Sequence, residues 1–243
     1  MYWIKRLLVT AMWLSIVRIS AAQDHYNAWL RSTLDIPLSE KIKTDIEFQH
    51  RRQNGFENTN MLDKSLMFSI RNWIHYQHAP NLKFSVSPFS YFSHYRVIRQ
   101  KEDNGAPSLS EVRVSIAEEL QHKIFPHLYL FNRNALEYRI FNNAGPDITR
   151  FRTRLGGRYE LTENFKLSAF DELFINVAGT SSERIPDHNR TGFNVEYSIS
   201  PNLKFDIGYI YIVRSSSPSA AGNIKSYEHN MFLNLTYQLK NNK

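Results

Sequence analysis

The stretch from Ile148 to Leu161 contains the residues whose types and spacing most clearly suggest chemistry. Its charged side chains fall at positions of one parity: Arg150, Arg152, Arg154, Arg158 and Glu160. Its large apolar side chains fall at the other: Phe151, Leu155, Tyr159 and Leu161. A period of two is typical of a β-strand whose two faces meet different surroundings. Because four arginines cannot line a dry core, one face of this strand must be wet.

The length of this stretch indicates what kind of sheet it belongs to. Its 14 residues exceed the roughly 9–11 with which a tilted strand crosses a bilayer, so the pattern predicts a transmembrane barrel strand with its charges inside. Neighbouring segments supply further charges of matching parity. We predict a lumen charge network of Arg113, Glu119, Arg133, Glu137, Arg139, Arg150, Arg152, Arg154, Arg158, Glu160 and Glu172.

Two interpretations of this network remain open. In a small barrel, long side chains fill the lumen, so the arginines would pair with Glu119, Glu137, Glu160 and Glu172 and hold the interior together. The predicted arginines outnumber these acids, however, and the excess suggests a lumen that prefers anions. We favour the structural role first and anion selection second.

Other titratable pairs do not form catalytic or metal sites. Asp171 and Glu172 are adjacent, so on a strand they point to opposite faces and cannot act together as acid and base without a bulge. We expect Glu172 to meet an arginine in the lumen and Asp171 to lie at a bulge or a rim. His75 and His78 also differ in parity, and the chain has no cysteine, so we expect neither a metal nor a cofactor.

An outer-membrane lipid-modifying enzyme, such as a phospholipase, is the rival class. Barrel enzymes of this kind need a serine and a histidine together on the outer face near the rim. The best grouping pairs His94 with Ser93, which has the opposite parity, or with Ser90, which lies two steps away. We therefore predict no catalytic residue. A periplasmic lipocalin-like carrier is the third class, but it needs an apolar inner wall, whereas here the face opposite the apolar one is charged.

The elements that carry these residues are short alternating segments separated by turn residues. We predict eleven segments: 27–36, 42–51, 65–77, 82–97, 111–123, 127–141, 148–161, 165–177, 190–199, 203–213 and 227–239. Short connections alternate strictly with long ones rich in Asn, Gly, Ser, Pro and charge. The long ones are 52–64, 98–110, 142–147, 178–189 and 214–226. Short turns on one rim and long loops on the other are typical of outer-membrane barrels, and a soluble sandwich does not require them.

The number of strands stays open between 10 and 12. Pro88 lies inside the fourth segment, where its missing N–H implies a bulge or a segment end. An odd count forces one parallel pair, whereas bacterial single-chain barrels normally have even numbers. One irregular strand over 27–51 would give ten strands, and a division at Pro88 would give twelve. The prediction is thus an all-β, antiparallel up-and-down transmembrane β-barrel.

The N-terminus predicts export. Residues 1–22 combine Lys5 and Arg6 with an apolar run to Val17 and small residues before Gln23, as a secretory signal peptide does. Its removal would leave 27 basic against 23 acidic residues, a net charge of +4, spread singly rather than in a nucleic-acid-binding patch. Residues 23–243 then form a single barrel domain. Because the chain has no cysteine, the stability of this domain must come from sheet closure and packing.

The sequence also resembles a known family. The similarity rests on the runs EVRVSIAEELQHKI, RFRTRLGGRYEL, SAFDELFINV, HNRTGFNVEYSISPNLKFDIGYIY and EHNMFLNLTYQL, and it is densest from Glu111 onward. These runs resemble the bacterial outer-membrane family known as domain of unknown function 2490 (DUF2490). The resemblance implies an exported barrel in a Gram-negative outer membrane, without an assigned activity or catalytic residues. The expected partners are outer-membrane lipid, lipopolysaccharide and the barrel-assembly machinery; the oligomeric state is left open.

Overall fold

The computed structural model describes residues 24–143, 145–181, 185–215 and 225–240, so the predicted signal peptide lies outside the described residues. The described chain is built almost entirely of strands. They are β1 (Asp24–Pro37), β2 (Ile42–Gln53), β3 (Lys64–Ala79), β4 (Leu82–His94), β5 (Leu109–Phe125), β6 (Leu128–Phe141), β7 (Ile148–Glu160), β8 (Phe165–Ala178), β9 (Pro186–Ser200), β10 (Leu203–Ser215) and β11 (Lys225–Gln238). A single 3-10 turn at Lys101–Asp103 follows β4, and no helix in the described ranges is long and apolar enough to cross a membrane.

The eleven strands close into one barrel. Each strand pairs with its chain neighbours in antiparallel fashion, and the barrel is closed by β1 and β11, which run parallel from the pair Asp24 and Tyr227 to the pair Asp35 and Gln238. The prediction of eleven up-and-down strands is confirmed, and neither ten nor twelve is realised. The parallel pair follows from the odd count, because alternating strands give the first and the eleventh the same direction.

The connections define two rims. The turns 38–41, 80–81, 126–127, 161–164 and 201–202 form what we call the short-turn rim. The described parts of the connections 54–63, 95–108, 142–147 and 179–185 form the long-loop rim, whereas residues 144, 182–184 and 216–224 lie outside the described residues. Because the strand count is odd, β1 begins at the long-loop rim and β11 ends at the short-turn rim.

The two faces of the barrel have opposite character. Most outward side chains are apolar and exposed, and Leu155, Phe193 and Ile207 each expose more than half of their surface. Inward side chains are polar and buried, as with Glu137 and Glu172, which are each 1% exposed. This inverts the usual arrangement of a soluble protein and of a lipocalin-like carrier.

Pro88 is accommodated by a bulge. The register of β4 against β5 shifts between Ser87 and Ser90, and the register of β3 against β4 shifts between Arg71 and Ile74. Pro88 therefore lies inside the bulge, where the hydrogen-bond ladder does not need an N–H from it. The prediction of a bulge at this position is confirmed, and β4 stays one strand.

Gly156 and its neighbour Gly157 differ in the space around them. A methyl group at Gly156 would lie 2.7 Å from the carbonyl oxygen of Ala169 and would overlap the ring of Phe131. A methyl group at Gly157 would meet nothing closer than 3.9 Å. Gly156 therefore leaves room for an aromatic ring in the lumen, whereas Gly157 lies on the open outer face.

We expect Gly156→Ala to lower the free energy of unfolding by about 1–3 kcal/mol, because the ring must move out of a packed position. Gly157→Ala is the matched control and should change it by less than about 0.5 kcal/mol. Urea unfolding of the barrel in lipid vesicles, followed by tryptophan fluorescence, measures both. Equal effects of the two substitutions would show that the space at Gly156 is not needed.

Candidate functional site

The centre of the candidate site is Glu137 on β6, which projects into the lumen. Its Oε1 accepts hydrogen bonds from Arg152 Nη1 at 2.7 Å and Arg113 Nη1 at 3.3 Å. Its Oε2 accepts from Arg150 Nε at 2.9 Å and Nη2 at 2.6 Å. One carboxylate thus gathers three guanidinium groups from β5 and β7, and charge-assisted bonds of this kind are strong when buried.

Two further carboxylates extend this group along the inner wall to β5 and β8. Glu172 on β8 accepts from Arg152 at 2.7 Å and from Arg154 at 3.0 Å. Glu111 on β5 accepts from Arg113 Nε at 2.7 Å and from Arg139 Nε at 2.8 Å. Because Arg113 and Arg152 each contact two carboxylates, the network is continuous. We call it the carboxylate–arginine cluster: Glu111, Glu137, Glu172, Arg113, Arg139, Arg150, Arg152 and Arg154.

The structure places all eleven predicted network residues on inward positions, but it joins only seven of them in this cluster. The other four form two looser pairs nearer the short-turn rim. Arg133 lies 3.9 Å from Glu119, and Arg158 lies 3.6 Å from Glu160. The predicted list thus combined a tight network with two weaker contacts.

Sequence reasoning missed several lumen residues that the same parity indicated. Glu111 shares the parity of Arg113, Arg51 continues the polar parity of β2, and Arg190 continues that of β9. It also missed Trp29, which lies on an inward position of β1 and is 5% exposed. The signal for the three charged residues was present in the alternation, whereas nothing in the sequence placed Trp29 beside them.

The cluster borders a cavity of about 500 Å³ in the lumen. Among the described residues, its wall contains the eleven arginines Arg31, Arg51, Arg71, Arg113, Arg139, Arg150, Arg152, Arg154, Arg158, Arg190 and Arg214, but only the four acids Glu119, Glu196, Asp206 and Glu228. The carboxylates of Glu111, Glu137 and Glu172 are absent from that wall, since they lie behind the guanidinium groups that they bind. The cavity is therefore lined by positive charge.

Arg51 and Arg190 flank Trp29 at this cavity. The guanidinium of Arg51 stacks 3.6 Å from the Trp29 ring centre and donates to Gln49 Oε1 at 3.1 Å. Within the described residues, Arg51 has no carboxylate within 4.0 Å. Arg190 lies 5.5 Å from the same ring and 3.9 Å from Glu172. Cation–π contacts orient both groups without neutralising them, so they can attract an anion.

A loop covers the lumen at the long-loop rim. In the connection 95–108, Tyr95 and Val97 line the cavity and Ile98 is 5% exposed. Gln53, at the end of β2, anchors this loop: its Nε2 donates to the carbonyl oxygen of Arg96 at 2.8 Å, and its Oε1 accepts from the Ile98 N–H at 3.2 Å. The connection therefore folds inward instead of extending away from the barrel.

A serine, a histidine and an aspartate meet in the other half of the lumen. His75 Nδ1 lies 2.7 Å from Ser85 Oγ, and His75 Nε2 lies 2.8 Å from Asp45 Oδ2. Sequence reasoning weighed His75 only as a metal ligand and missed this contact. Nucleophilic catalysis uses such residues when substrate can reach the serine. Here none of the three lines the lumen cavity, so the arrangement fills the barrel end.

The remaining candidates lie apart from one another. His94 Nε2 lies 2.8 Å from Glu111 Oε2, so this histidine contacts the cluster instead of a serine. His78 is exposed beside Tyr76 and Phe84. Within the described ranges, no group of three or more His, Cys, Asp or Glu side chains is arranged to hold a metal ion.

Asp171 requires a correction. It was expected at a bulge or a rim, but it lies in the middle of β8 with regular pairing to Leu155 on β7 and Thr191 on β9. Its side chain is on the outer face, hydrogen-bonded to Asn189 and Thr191. The expectation was wrong because it assumed that a carboxylate would not lie in the middle of the apolar outer face.

Comparisons with known proteins give one family and several barrels. Residues 26–223 match the family described as "Protein of unknown function (DUF2490)". No curated protein matches the sequence. Among solved structures, the chain is similar to a NanC porin, with 10% identity and a TM-score of 0.45 over 88% of this chain and 99% of that one.

Two further solved structures are more distant. The anion-selective porin from Comamonas acidovorans has 11% identity and a TM-score of 0.37, over 82% of this chain and 53% of that one. The outer membrane channel DcaP of Acinetobacter baumannii has 10% identity and a TM-score of 0.34, over 80% of each chain.

Proposed function

The chain belongs to the family described as protein of unknown function (DUF2490), and we propose that it is an outer-membrane barrel whose lumen admits small anions. The proposed location is supported by the apolar, exposed outer face and by strands of 12 to 17 residues. Tilted strands of this length cover a bilayer, and an apolar outer band suits its hydrocarbon. Lipid and lipopolysaccharide would then surround the barrel, and the assembly machinery would insert it.

The observation that carries the proposed function is the charge of the cavity wall. Among the described residues, eleven arginines and four carboxylates line it, and Arg51 faces it beside Trp29 with no carboxylate within 4.0 Å. A ring of guanidinium groups in a narrow, low-dielectric space lowers the energy of an anion there and raises that of a cation. The lumen should therefore pass or hold anions.

The carboxylate–arginine cluster has a structural role in this proposal. It links the four neighbouring strands β5 to β8 through Glu111, Glu137 and Glu172, and so adds side-chain bonds to the backbone pairing on one side of the lumen. The guanidinium groups of the arginines in this cluster face the cavity. Holding the barrel together and selecting anions are thus compatible functions of one set of arginines.

Planar-bilayer recording tests the proposed function. In a KCl gradient we expect channels whose zero-current potential has the sign of chloride preference. Arg51→Gln should lower the chloride-to-potassium permeability ratio about five- to fifteenfold, since one charge at ~5–8 Å in water shifts the energies of the two ions by ~0.5–0.8 kcal/mol in opposite directions. Arg52→Gln is the matched control, because Arg52 bonds the loop carbonyls of Leu62 and Asp63 and does not line the cavity.

Two outcomes would contradict the proposal. Absence of channels from barrels that are folded, as shown by heat-dependent migration on SDS gels, would rule out conduction. A preference for potassium, or equal effects of Arg51→Gln and Arg52→Gln, would rule out anion selection by the cavity wall.

A further inference from the structure

A group of polar side chains interrupts the apolar outer face at half its height. We call it the polar patch: Glu118, Asn132, Asn134, Thr153, Asp171, Asn189 and Thr191. Apolar residues of the same face lie above and below it. Ile116 and Leu120 flank Glu118, and both are exposed. The patch is thus an island within the apolar belt and not part of a polar rim.

The polar patch has two halves with different chemistry. On β5 and β6, Asn134 Nδ2 donates to Glu118 Oε1 at 3.1 Å and to Asn132 Oδ1 at 2.7 Å. On β8 and β9, Asp171 accepts from Asn189 Nδ2 and Thr191 Oγ1, each at 2.8 Å. Each half contains one carboxylate, but on the strands next to β7 the first half presents the carboxamides of β6 and the second presents Asp171 of β8. Strand β7 separates them.

Exposure of this patch to lipid would be costly. Amide and carboxylate groups lose their water in hydrocarbon, and ionisable residues at membrane depth are therefore normally covered by protein or by water-filled space. Here the side chains face away from the lumen, so the lumen cannot cover them. Given the proposed membrane location, on which this inference rests, another protein surface must do so.

We propose that a second copy of this chain covers the polar patch in a symmetric dimer. The two-fold axis would run along the membrane normal and pass by Thr153 and Leu155 on β7. A two-fold axis places each half of a patch against the opposite half of its mate. Asn134 would then face Asp171 of the partner subunit, and Asp171 would face Asn134 of the partner subunit. The Asn134 N–H that bonds Asn132 within one subunit would turn to the partner's carboxylate, once on each side of the axis.

The heights of these residues agree with such an axis. Asn132 and Asp171 both pair with Leu155, so they lie on one row perpendicular to the strands. A row of paired residues can be followed around the barrel from β1 through β2 to β11 and back to β1. It returns to β1 at a residue nearer the N-terminus, so each row rises towards the long-loop rim in this direction. With ~4.8 Å between strands, ~3.4 Å per residue and a tilt of ~45°, Asp171 lies about 7 Å above Asn132, and Asn134 lies about 5 Å above it. Asn134 and Asp171 therefore share a level to within about 2 Å.

The shape of the wall also suits this contact. Two convex barrels approach most closely along one line and diverge on either side. On β7 the outer positions near this line of closest approach are Thr153, Leu155 and Gly157. Thr153 is small and Gly157 has no side chain. Small residues allow close approach in membranes, and the polar flanks on β6 and β8 can bridge the widening gap.

Disulfide cross-linking tests the dimer, and the absence of native cysteine makes single-cysteine variants unambiguous. Leu155→Cys lies beside the proposed axis and should form a disulfide-linked dimer in oxidised membranes. Leu30→Cys is the matched control, because Leu30 is exposed on the outer face of β1, on the opposite wall. We expect the dimer yield of Leu155→Cys to exceed that of Leu30→Cys at least tenfold.

The role of the patch itself is tested in the same background. Asp171→Leu, combined with Leu155→Cys, should reduce cross-linking about tenfold, because each dimer loses two symmetric contacts. Equal cross-linking of Leu155→Cys and Leu30→Cys would overturn the dimer. A disulfide adduct of a mass other than two chains would show that a different protein covers the patch. Heat-dependent gel migration of each variant separates these results from failure of the barrel to fold or insert.

Discussion

Glu137→Gln is expected to lower the free energy of unfolding by about 3–5 kcal/mol, since it removes the charge that compensates three buried arginines. Glu137 is 1% exposed and is within 3.3 Å of Arg113, Arg150 and Arg152. Glutamine keeps the shape but supplies one acceptor oxygen where two carboxylate oxygens were bonded. The like charges that remain then repel each other at short range with no carboxylate between them.

Urea unfolding in lipid vesicles measures this loss, with Glu160→Gln as the control. Glu160 pairs with Arg158 at 3.6 Å and its side chain is 24% exposed, so its removal should cost about 0–1 kcal/mol. If Glu137→Gln cost no more than Glu160→Gln, the carboxylate–arginine cluster would not be what holds the lumen together.

The class of fold was predictable because alternation is a local property. A strand with water on one face and lipid on the other must alternate, and the segment 148–161 shows this without reference to any neighbour. The order of short and long connections then orients every strand relative to the rims. The strand count was harder to predict, because even numbers are only a statistical tendency. The parallel pair of β1 and β11 depends on contacts between 12 residues near the start of the chain and 12 near its end, which no local pattern indicates.

The candidate site was predictable only in part, because parity assigns a face but not a height. Arg152 reaches both Glu137 and Glu172, whereas Arg133 only approaches Glu119 at 3.9 Å. This difference depends on strand tilt and on the path of each side chain across the lumen. The same limit explains why Trp29 was not connected with Arg51 and Arg190. The position of Asp171 was missed for another reason, since its parity places it on the apolar face, where a carboxylate was not expected.

Shortening the loop 95–108 to a glycine-serine turn should raise single-channel conductance at least about twofold, because it removes side chains from the lumen. Tyr95 and Val97 line the cavity, and Gln53 fixes the loop through its bonds to Arg96 and Ile98. Gln53→Ala should therefore give a smaller increase in conductance with more frequent fluctuations, because the loop can then leave the lumen.

Arg52→Ala is the control: it releases a neighbouring loop on the outer side and should leave conductance unchanged. If shortening the loop left conductance unchanged as well, the narrowest part of the path would lie at the arginines, and the cluster that stabilises the barrel would also set its permeability.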